Sequence, residues 1–83
     1  MDKKLFPVTS LKEGKEGVIH SISGGLSLIS RLAGMGVIPG TEIKVLQNNR
    51  GPLIVLVNNT RVALGRGQAS KILVAFDPYQ KKG

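Results

Sequence analysis

The chain has 83 residues, of which 41% are hydrophobic, and it carries a formal net charge of +7 and no cysteine. This length allows one domain with one hydrophobic core, and the lack of cysteine excludes disulfides, thiolate nucleophiles and thiolate metal ligands. The basic residues are spread along the whole chain, which excludes a separate basic arm.

The N-terminal segment, residues 1–7, has no apolar stretch long enough for a secretory signal peptide. The longest strongly apolar run, from Leu53 to Val57, is too short to cross a bilayer. We therefore expect a cytoplasmic protein. The fold is predicted to begin with a segment from Leu5 to Leu11, which Pro7 interrupts.

The first clear strand is predicted over residues 18–23, after a turn bracketed by Gly14 and Gly17. In a regular strand His20 would lie on the same face as its neighbours two residues away in either direction, which are valine and isoleucine. Two further glycines end the strand.

One helix is predicted from Leu26 to Ala33, because Leu28 and Leu32 are four residues apart and form an apolar stripe. Ser27 is the predicted N-cap, and Gly34 is predicted to end the helix in the left-handed conformation. A helix of about two turns is not stable alone, so we expect it to pack against the sheet.

The second half of the chain is predicted to consist of strands separated by short turns. Pro39-Gly40 fits the two central positions of a type II turn, and Asn58-Asn59-Thr60 predicts a tight hairpin. Residues 65–70 are predicted to be irregular or one turn of 3₁₀ helix, and Asp77-Pro78 ends the last strand. The strands themselves are predicted over residues 41–47, 53–57, 61–64 and 71–76. The second of these is apolar on both faces, which predicts a central or covered position.

Five or six short strands joined by Gly, Asn and Pro turns predict an all-β fold, mainly β with one short helix. A barrel is favoured in so short a chain because closure removes the exposed edges of an open sheet. We therefore predict a small barrel, rather than a sandwich, with a helical insert after the first clear strand. It forms a single domain, residues 1–83, with its core at about residues 5–77 and a flexible tail at 78–83.

No catalytic constellation is visible, so we predict that the protein is not an enzyme. His20 is the only histidine, and on a strand face its ring is expected to be packed or half-buried. The five carboxylates are scattered without a pair suited to acid–base catalysis. The glycines around Met35 and around Arg66 lack the partners of a phosphate-binding loop and are predicted to form turns.

The net charge leaves a barrel that binds RNA or DNA as the alternative. Such a site combines clustered basic residues with stacking aromatic side chains. Here Phe6, Phe76 and Tyr79 are not interleaved with the basic residues. A module that binds a protein partner therefore fits the sequence better, and no nucleic acid is expected.

The most specific motif of the chain is Arg31-Leu32-Ala33-Gly34-Met35-Gly36-Val37-Ile38-Pro39-Gly40-Thr41-Glu42-Ile43-Lys44-Val45. Before it stand Leu11, Gly14, Gly17, Ile19 and Ile22, and after it stand Gly51-Pro52-Leu53-Ile54-Val55, Val62-Ala63-Leu64 and Ala69-Ser70-Lys71-Ile72-Leu73-Val74. In this order and spacing, the chain resembles the FeoA family, the small cytosolic accessory proteins of bacterial ferrous-iron uptake.

The resemblance implies an SH3-like barrel, a fold also seen as the C-terminal domain of DtxR-type repressors. It implies a non-enzymatic accessory or regulatory role and one partner, the membrane ferrous-iron transporter FeoB, which carries a GTP-binding domain on its cytoplasmic side. The protein would then be peripheral to the membrane, in an oligomeric state that is left open. No cofactor is expected. Any association with Fe²⁺ or another divalent metal would be weak, and its ligands are not assignable, because soft ligands are nearly absent.

The predicted partner-binding surface is the end of the helix and the turn after it, where a cationic side chain lies beside a flexible methionine. The alternative is that Met35 and Val37 pack under the barrel lid. Family members often have consecutive basic residues after the strand at 61–64, whereas this chain has a single arginine there. The residues predicted to bind the partner are Arg31, Met35, Gly36, Val37, Pro39, Gly40 and Arg66.

Overall fold

A computed structural model describes residues 4–76 of the chain. In chain order the elements are β1 (Lys4–Pro7), a 3₁₀ turn (Val8–Ser10), β2 (Glu16–Ile22), α1 (Leu26–Gly34), β3 (Glu42–Gln47), β4 (Leu53–Val57), β5 (Thr60–Leu64), α2 (Arg66–Ala69) and β6 (Ile72–Phe76). Strands β2 to β6 agree with the predicted ones to within two residues at either end, whereas the segment predicted from Leu5 to Leu11 is divided between β1 and the 3₁₀ turn. The predicted stop at Asp77-Pro78 and the tail at 78–83 lie outside the described residues.

The six strands form one antiparallel sheet in the order β1-β6-β2-β3-β4-β5. The prediction of a mainly β, SH3-like fold of five to six strands with a helical insert after the first clear strand is confirmed. The single-turn helix α2 occupies the segment for which an irregular or 3₁₀ conformation was predicted. The strands β1 and β5 are the two ends of the sheet.

One core lies inside the curved sheet, because alternate residues of the strands point to the same side. On β4, Leu53, Val55 and Val57 are at most 1% exposed, whereas Ile54 and Leu56 on the opposite face are half-buried. This strand lies between β3 and β5, so its predicted central position is confirmed. The other fully buried large side chains are Val8, Ile19, Leu32, Val37, Ile43, Val45, Leu64, Ile72 and Val74.

A β-bulge in β2 overturns the prediction for His20. Ile19 pairs with Val74 and Ser21 pairs with Leu73, the adjacent residue of β6. His20 is therefore the extra residue of the bulged strand. The ring of His20 is exposed, and its Nδ1 atom lies 3.1 Å from the Ser21 hydroxyl oxygen. The inserted residue keeps Ile19 and Ile22 both on the core side, which strict alternation does not allow.

Gly17 was predicted to bracket the turn before β2, but it lies inside the strand. A Cβ atom at this position would stand 2.9 Å from the carbonyl oxygen of Ala75 in β6, which is closer than real Cβ atoms come. Glycine therefore allows β2 and β6 to approach each other.

Candidate partner-binding surface

The helix α1 ends in a Schellman motif, in which a glycine two residues later than predicted takes the left-handed conformation. Gly36 has φ +87°, its N–H donates to the carbonyl of Ala33 at 2.9 Å, and the N–H of Val37 donates to the carbonyl of Leu32 at 2.9 Å. Gly34 is the last residue of the helix and is not the residue after it. The N-cap prediction was also wrong, because Gly25 occupies that position without a side-chain hydrogen bond.

The end of α1 separates two roles that the sequence did not distinguish. Val37 is fully buried and belongs to the core with Leu32, so its side chain does not reach a docked partner, and the prediction that it contacts one is corrected. Met35 remains 36% exposed, and Ile38 is 45% exposed on the other side of the buried valine. Arg31 is exposed in the last turn of the helix.

The turn after the helix is held rigidly against β2. Gly40 has φ +93°, and the N–H of Thr41 donates to the carbonyl of Ile38 at 3.2 Å, which confirms the predicted type II turn. The N–H of Gly40 donates to the carbonyl of Ile19 at 2.7 Å, and the N–H of Ile19 donates to the carbonyl of Thr41 at 2.9 Å. Pro39 and Gly40 are both exposed. We call Arg31, Met35, Ile38, Pro39 and Gly40 the helix-end surface.

Sequence reasoning missed Ile38 because it stands at the first position of the turn, where a buried side chain and an exposed one look alike. Leu26, at the other end of α1, was also missed, although it is 79% exposed. The signal for Leu26 was readable, since it lies off the stripe formed by Leu28 and Leu32.

The hairpin between β4 and β5 adjoins the helix-end surface. Asn58 and Asn59 have φ angles of 52° and 62°, as a two-residue type I′ turn requires, so the predicted hairpin is confirmed. A Cβ atom at Gly36 would lie 3.2 Å from Nδ2 of Asn58. A shallow groove of about 490 Å³ runs beside this contact, lined by Glu16, Gly40, Thr41, Glu42, Ile43, Lys44, Leu56, Asn58 and Asn59.

Arg66 is half-buried and hydrogen-bonded to the loop between β3 and β4. Its Nη2 donates to Oδ1 of Asn48 at 2.6 Å and to the carbonyl of Asn49, and its Nε donates to the carbonyl of Gly51 at 3.1 Å. Within residues 4–76 none of its hydrogen bonds goes to α1 or to the turn after it. The guanidinium predicted to contact a partner therefore has a structural role in this fold.

Asn48 connects this loop to the beginning of the chain. Its Nδ2 donates to the carbonyls of Thr9 at 3.0 Å and Leu11 at 2.7 Å, and its backbone N–H donates to Oε2 of Glu13 at 2.8 Å. The side-chain oxygen accepts from Arg66, so both ends of the Asn48 amide are used. This network was not predicted from the sequence, because its partners are 18 to 39 residues away.

The described residues 4–76 contain no group of three or more His, Asp or Glu side chains that would hold a metal ion. Phe6 is half-buried and packs against the core, so it is not presented as a stacking platform for bases. No helix in the same part of the chain is long and apolar enough to cross a membrane. The helix-end surface combines exposed apolar side chains with an exposed arginine, which are features of a contact surface.

The fold and this surface define a small SH3-like domain. Residues 6–75 match the model of the FeoA domain family. The chain is 37% identical over 75 residues to a protein of Methanocaldococcus jannaschii that is named as an Fe(2+) transport protein A. The matched residues are 90% of this chain and 92% of that one. The chain belongs to the FeoA family, a family of accessory proteins of ferrous-iron transport.

Three solved structures agree with the assignment. A crystal structure of a FeoA described as an iron uptake regulatory protein has a TM-score of 0.83 and 33% identity, covering 87% of this chain and 97% of that one. Stenotrophomonas maltophilia FeoA, described as a procaryotic SH3 domain protein complexed with zinc, has a TM-score of 0.69 and 25% identity, covering 80% and 85%. IdeR of T. acidophilum has a TM-score of 0.80 and 27% identity, covering 88% of this chain and 34% of that larger one.

Proposed function

We propose that this protein is a non-enzymatic accessory protein of ferrous-iron uptake that binds the cytoplasmic part of the transporter FeoB through its helix-end surface. The observation that carries the proposal is that Met35 and Ile38 are exposed apolar side chains on a backbone fixed by a Schellman motif and a pinned type II turn. A rigid surface loses little conformational entropy on binding, and apolar side chains beside an arginine are typical of contacts that dominate binding energy.

Binding of this kind changes a transporter without any catalysis by the accessory protein. A partner that binds one conformation of the transporter more tightly than another shifts the equilibrium between them by the ratio of the two affinities. The proposed effect is therefore on the activity or the assembly of FeoB. The Stenotrophomonas maltophilia relative, described as possibly a ferrous iron transport activating factor, agrees with such a role.

The test is a pull-down from detergent-solubilised membranes of the host, with the purified protein as bait and mass spectrometry of the retained proteins. We expect FeoB to be retained by the wild type, to be lost with Arg31→Glu, and to be retained by the control Arg50→Glu. Both arginines are exposed, so the two variants make the same change of charge at different places. Thermal unfolding of each variant shows whether its fold is intact.

Two outcomes contradict the proposal. Equal retention of FeoB by the two variants would mean that the helix-end surface is not the contact. Recovery of ribosomes or nucleic acid in place of a transporter, with release at high salt, would favour the alternative of a nucleic-acid-binding barrel.

A further inference from the structure

The strand β5 is an open edge of the sheet. The other edge of the sheet is β1, which pairs with β6 from Lys4 opposite Phe76 to Pro7 opposite Leu73. That edge is shorter and ends in Pro7, which has no backbone N–H to donate to an added strand. On its inner side β5 pairs with β4, from Leu64 opposite Leu53 onward, and within residues 4–76 no strand lies on its outer side.

The outward backbone groups of β5 belong to two residues. In a hairpin with a two-residue turn, the residues that flank the turn form a hydrogen-bonded pair, and bonded pairs then alternate with non-bonded ones. Since Thr60 flanks the turn opposite Val57, Arg61 and Ala63 direct their N–H and C=O groups away from β4. Within the described residues neither makes a backbone hydrogen bond to another segment.

The segment that contains this edge carries basic and no acidic side chains, although Glu16 of β2 lies opposite Lys44. Residues 43–76 contain no aspartate or glutamate, whereas they carry the cations Lys44, Arg50, Arg61, Arg66 and Lys71. Arg61 is exposed and lies opposite Leu56, which in turn lies opposite Lys44, so an apolar side chain is flanked by two cations on the outer face. The hydrogen bonds of Arg66 go to an amide and to carbonyls, which leave its charge uncompensated.

We propose that the open edge of β5 binds an extended acidic segment of a protein partner as an additional strand. The N–H and C=O groups of Arg61 and Ala63 would form the ladder, and carboxylates on alternate residues of the segment would lie beside the side chain of Arg61. Ala63 is exposed and small, so it leaves space for the neighbouring side chain of the added strand. The inference goes beyond the proposed contact with FeoB and does not depend on it.

Two other occupants fit the edge less well. A second copy of this chain paired through β5 would bring two acid-free, basic segments together and place like charges side by side. A nucleic acid strand has no backbone N–H groups for the ladder, and residues 42–64 contain no aromatic side chain on which bases stack.

The experiment is an NMR titration of the full-length ¹⁵N-labelled protein with a blocked seven-residue peptide of alternating Val and Glu. We expect shift changes along β5 and slower hydrogen exchange of the amides of Arg61 and Ala63. Arg61→Glu should weaken the affinity by about fivefold to tenfold, whereas Arg50→Glu should change it by less than about twofold. The same peptide with Lys in place of Glu should not bind.

A chemical variant of the peptide tests the ladder without changing the protein. Methylation of the peptide nitrogens that face β5 keeps every charge and removes the hydrogen-bond donors, and we expect the affinity to fall by at least about tenfold. Equal binding of the methylated peptide overturns the proposal, because the attraction would then be electrostatic only. The proposal is also overturned if Arg61 and Ala63 do not respond, if the protein dimerises through β5, or if a single-stranded oligonucleotide gives the same shifts. None of these results bears on whether Arg31→Glu loses FeoB in the pull-down, which is a separate measurement.

Discussion

Asn48 is the residue whose replacement tests the folded network most directly. Asn48→Ala removes three side-chain hydrogen bonds, two donated to the carbonyls of Thr9 and Leu11 and one accepted from Arg66. A net contribution of about 1 kcal/mol for each bond gives a loss of about 3 kcal/mol in the free energy of unfolding. For a domain of this size, the melting temperature should fall by about 12–24 °C. Urea and thermal unfolding, both followed by circular dichroism, measure the change.

The variant Asn48→Asp separates the two halves of the network. A carboxylate still accepts a hydrogen bond from Arg66, but it has no N–H to donate to Thr9 and Leu11 and is repelled by their carbonyl oxygens. The new charge also approaches Glu13, which accepts the backbone N–H of the same residue. Asn48→Asp should therefore be at least as destabilising as Asn48→Ala, although it pairs a carboxylate with an arginine.

The neighbouring Asn49→Ala is the matched control. Asn49 is exposed and uses only its backbone carbonyl to accept from Arg66, so the substitution removes no side-chain hydrogen bond. We expect a change within about 0.5 kcal/mol. If Asn48→Ala is no more destabilising than Asn49→Ala, the hydrogen-bond network does not hold the loop, and Arg66 becomes available again as a partner contact. A double-mutant cycle of Asn48→Ala with Arg66→Ala would measure the coupling between the two side chains.

Three further predictions concern the backbone and the core. Gly36→Ala should lower the free energy of unfolding by about 1–2 kcal/mol, because this residue has a positive φ. Gly34→Ala should raise it by about 0.5–1 kcal/mol, because Gly34 lies in the helix with open space around it. The two unfolding curves should therefore move in opposite directions. Gly17→Ala should cost about 1–3 kcal/mol because its Cβ would stand 2.9 Å from a carbonyl oxygen of β6, and slower exchange of the β2 amides than in wild type would contradict this. Val37→Ala should destabilise the core by about 1–3 kcal/mol, whereas Met35→Ala should leave the melting temperature nearly unchanged and reduce the retention of FeoB in the pull-down.

Turns were the most predictable part of the fold because their chemistry is local. Pro39 presets φ at one central position of its turn and Gly40 accepts a positive φ at the other, so the dipeptide determines the turn type. Asn58 and Asn59 determine the hairpin in the same way, since asparagine tolerates the left-handed region that a type I′ turn needs. In each case the residues that determine the structure are adjacent in the sequence.

The errors arose where a distant segment decides between two local possibilities. Alternation alone puts His20 with the apolar residues of β2, and only the pairing with β6 shows that it is the extra residue of a bulge. Gly34 and Gly36 are both acceptable helix ends by propensity. Ending the helix at the second glycine allows Leu32 and Val37 to enter the core together, a contact that propensity does not include.

The position of the candidate site stays a prediction, and the structure changes which of its side chains are exposed. The motif around the helix end predicted the turn correctly, because it includes the residues that determine the turn's backbone. Which side chains point outward depends on the burial of the sheet beneath. In the structure Met35 and Ile38 are exposed and Val37 is buried. Arg66 is hydrogen-bonded to a loop 15 to 18 residues away.

The helix-end surface and the edge of β5 meet at the hairpin, and this geometry decides how the two proposals relate. Gly36 lies against Val57 and Asn58, and the edge strand begins two residues later at Thr60. A strand added along β5 that continues past Thr60 therefore arrives beside the end of α1. If FeoB itself supplies the acidic segment, Arg61→Glu must reduce its retention as Arg31→Glu does. If a different partner supplies it, Arg61→Glu must leave the retention of FeoB unchanged while weakening the binding of the acidic peptide by about fivefold to tenfold.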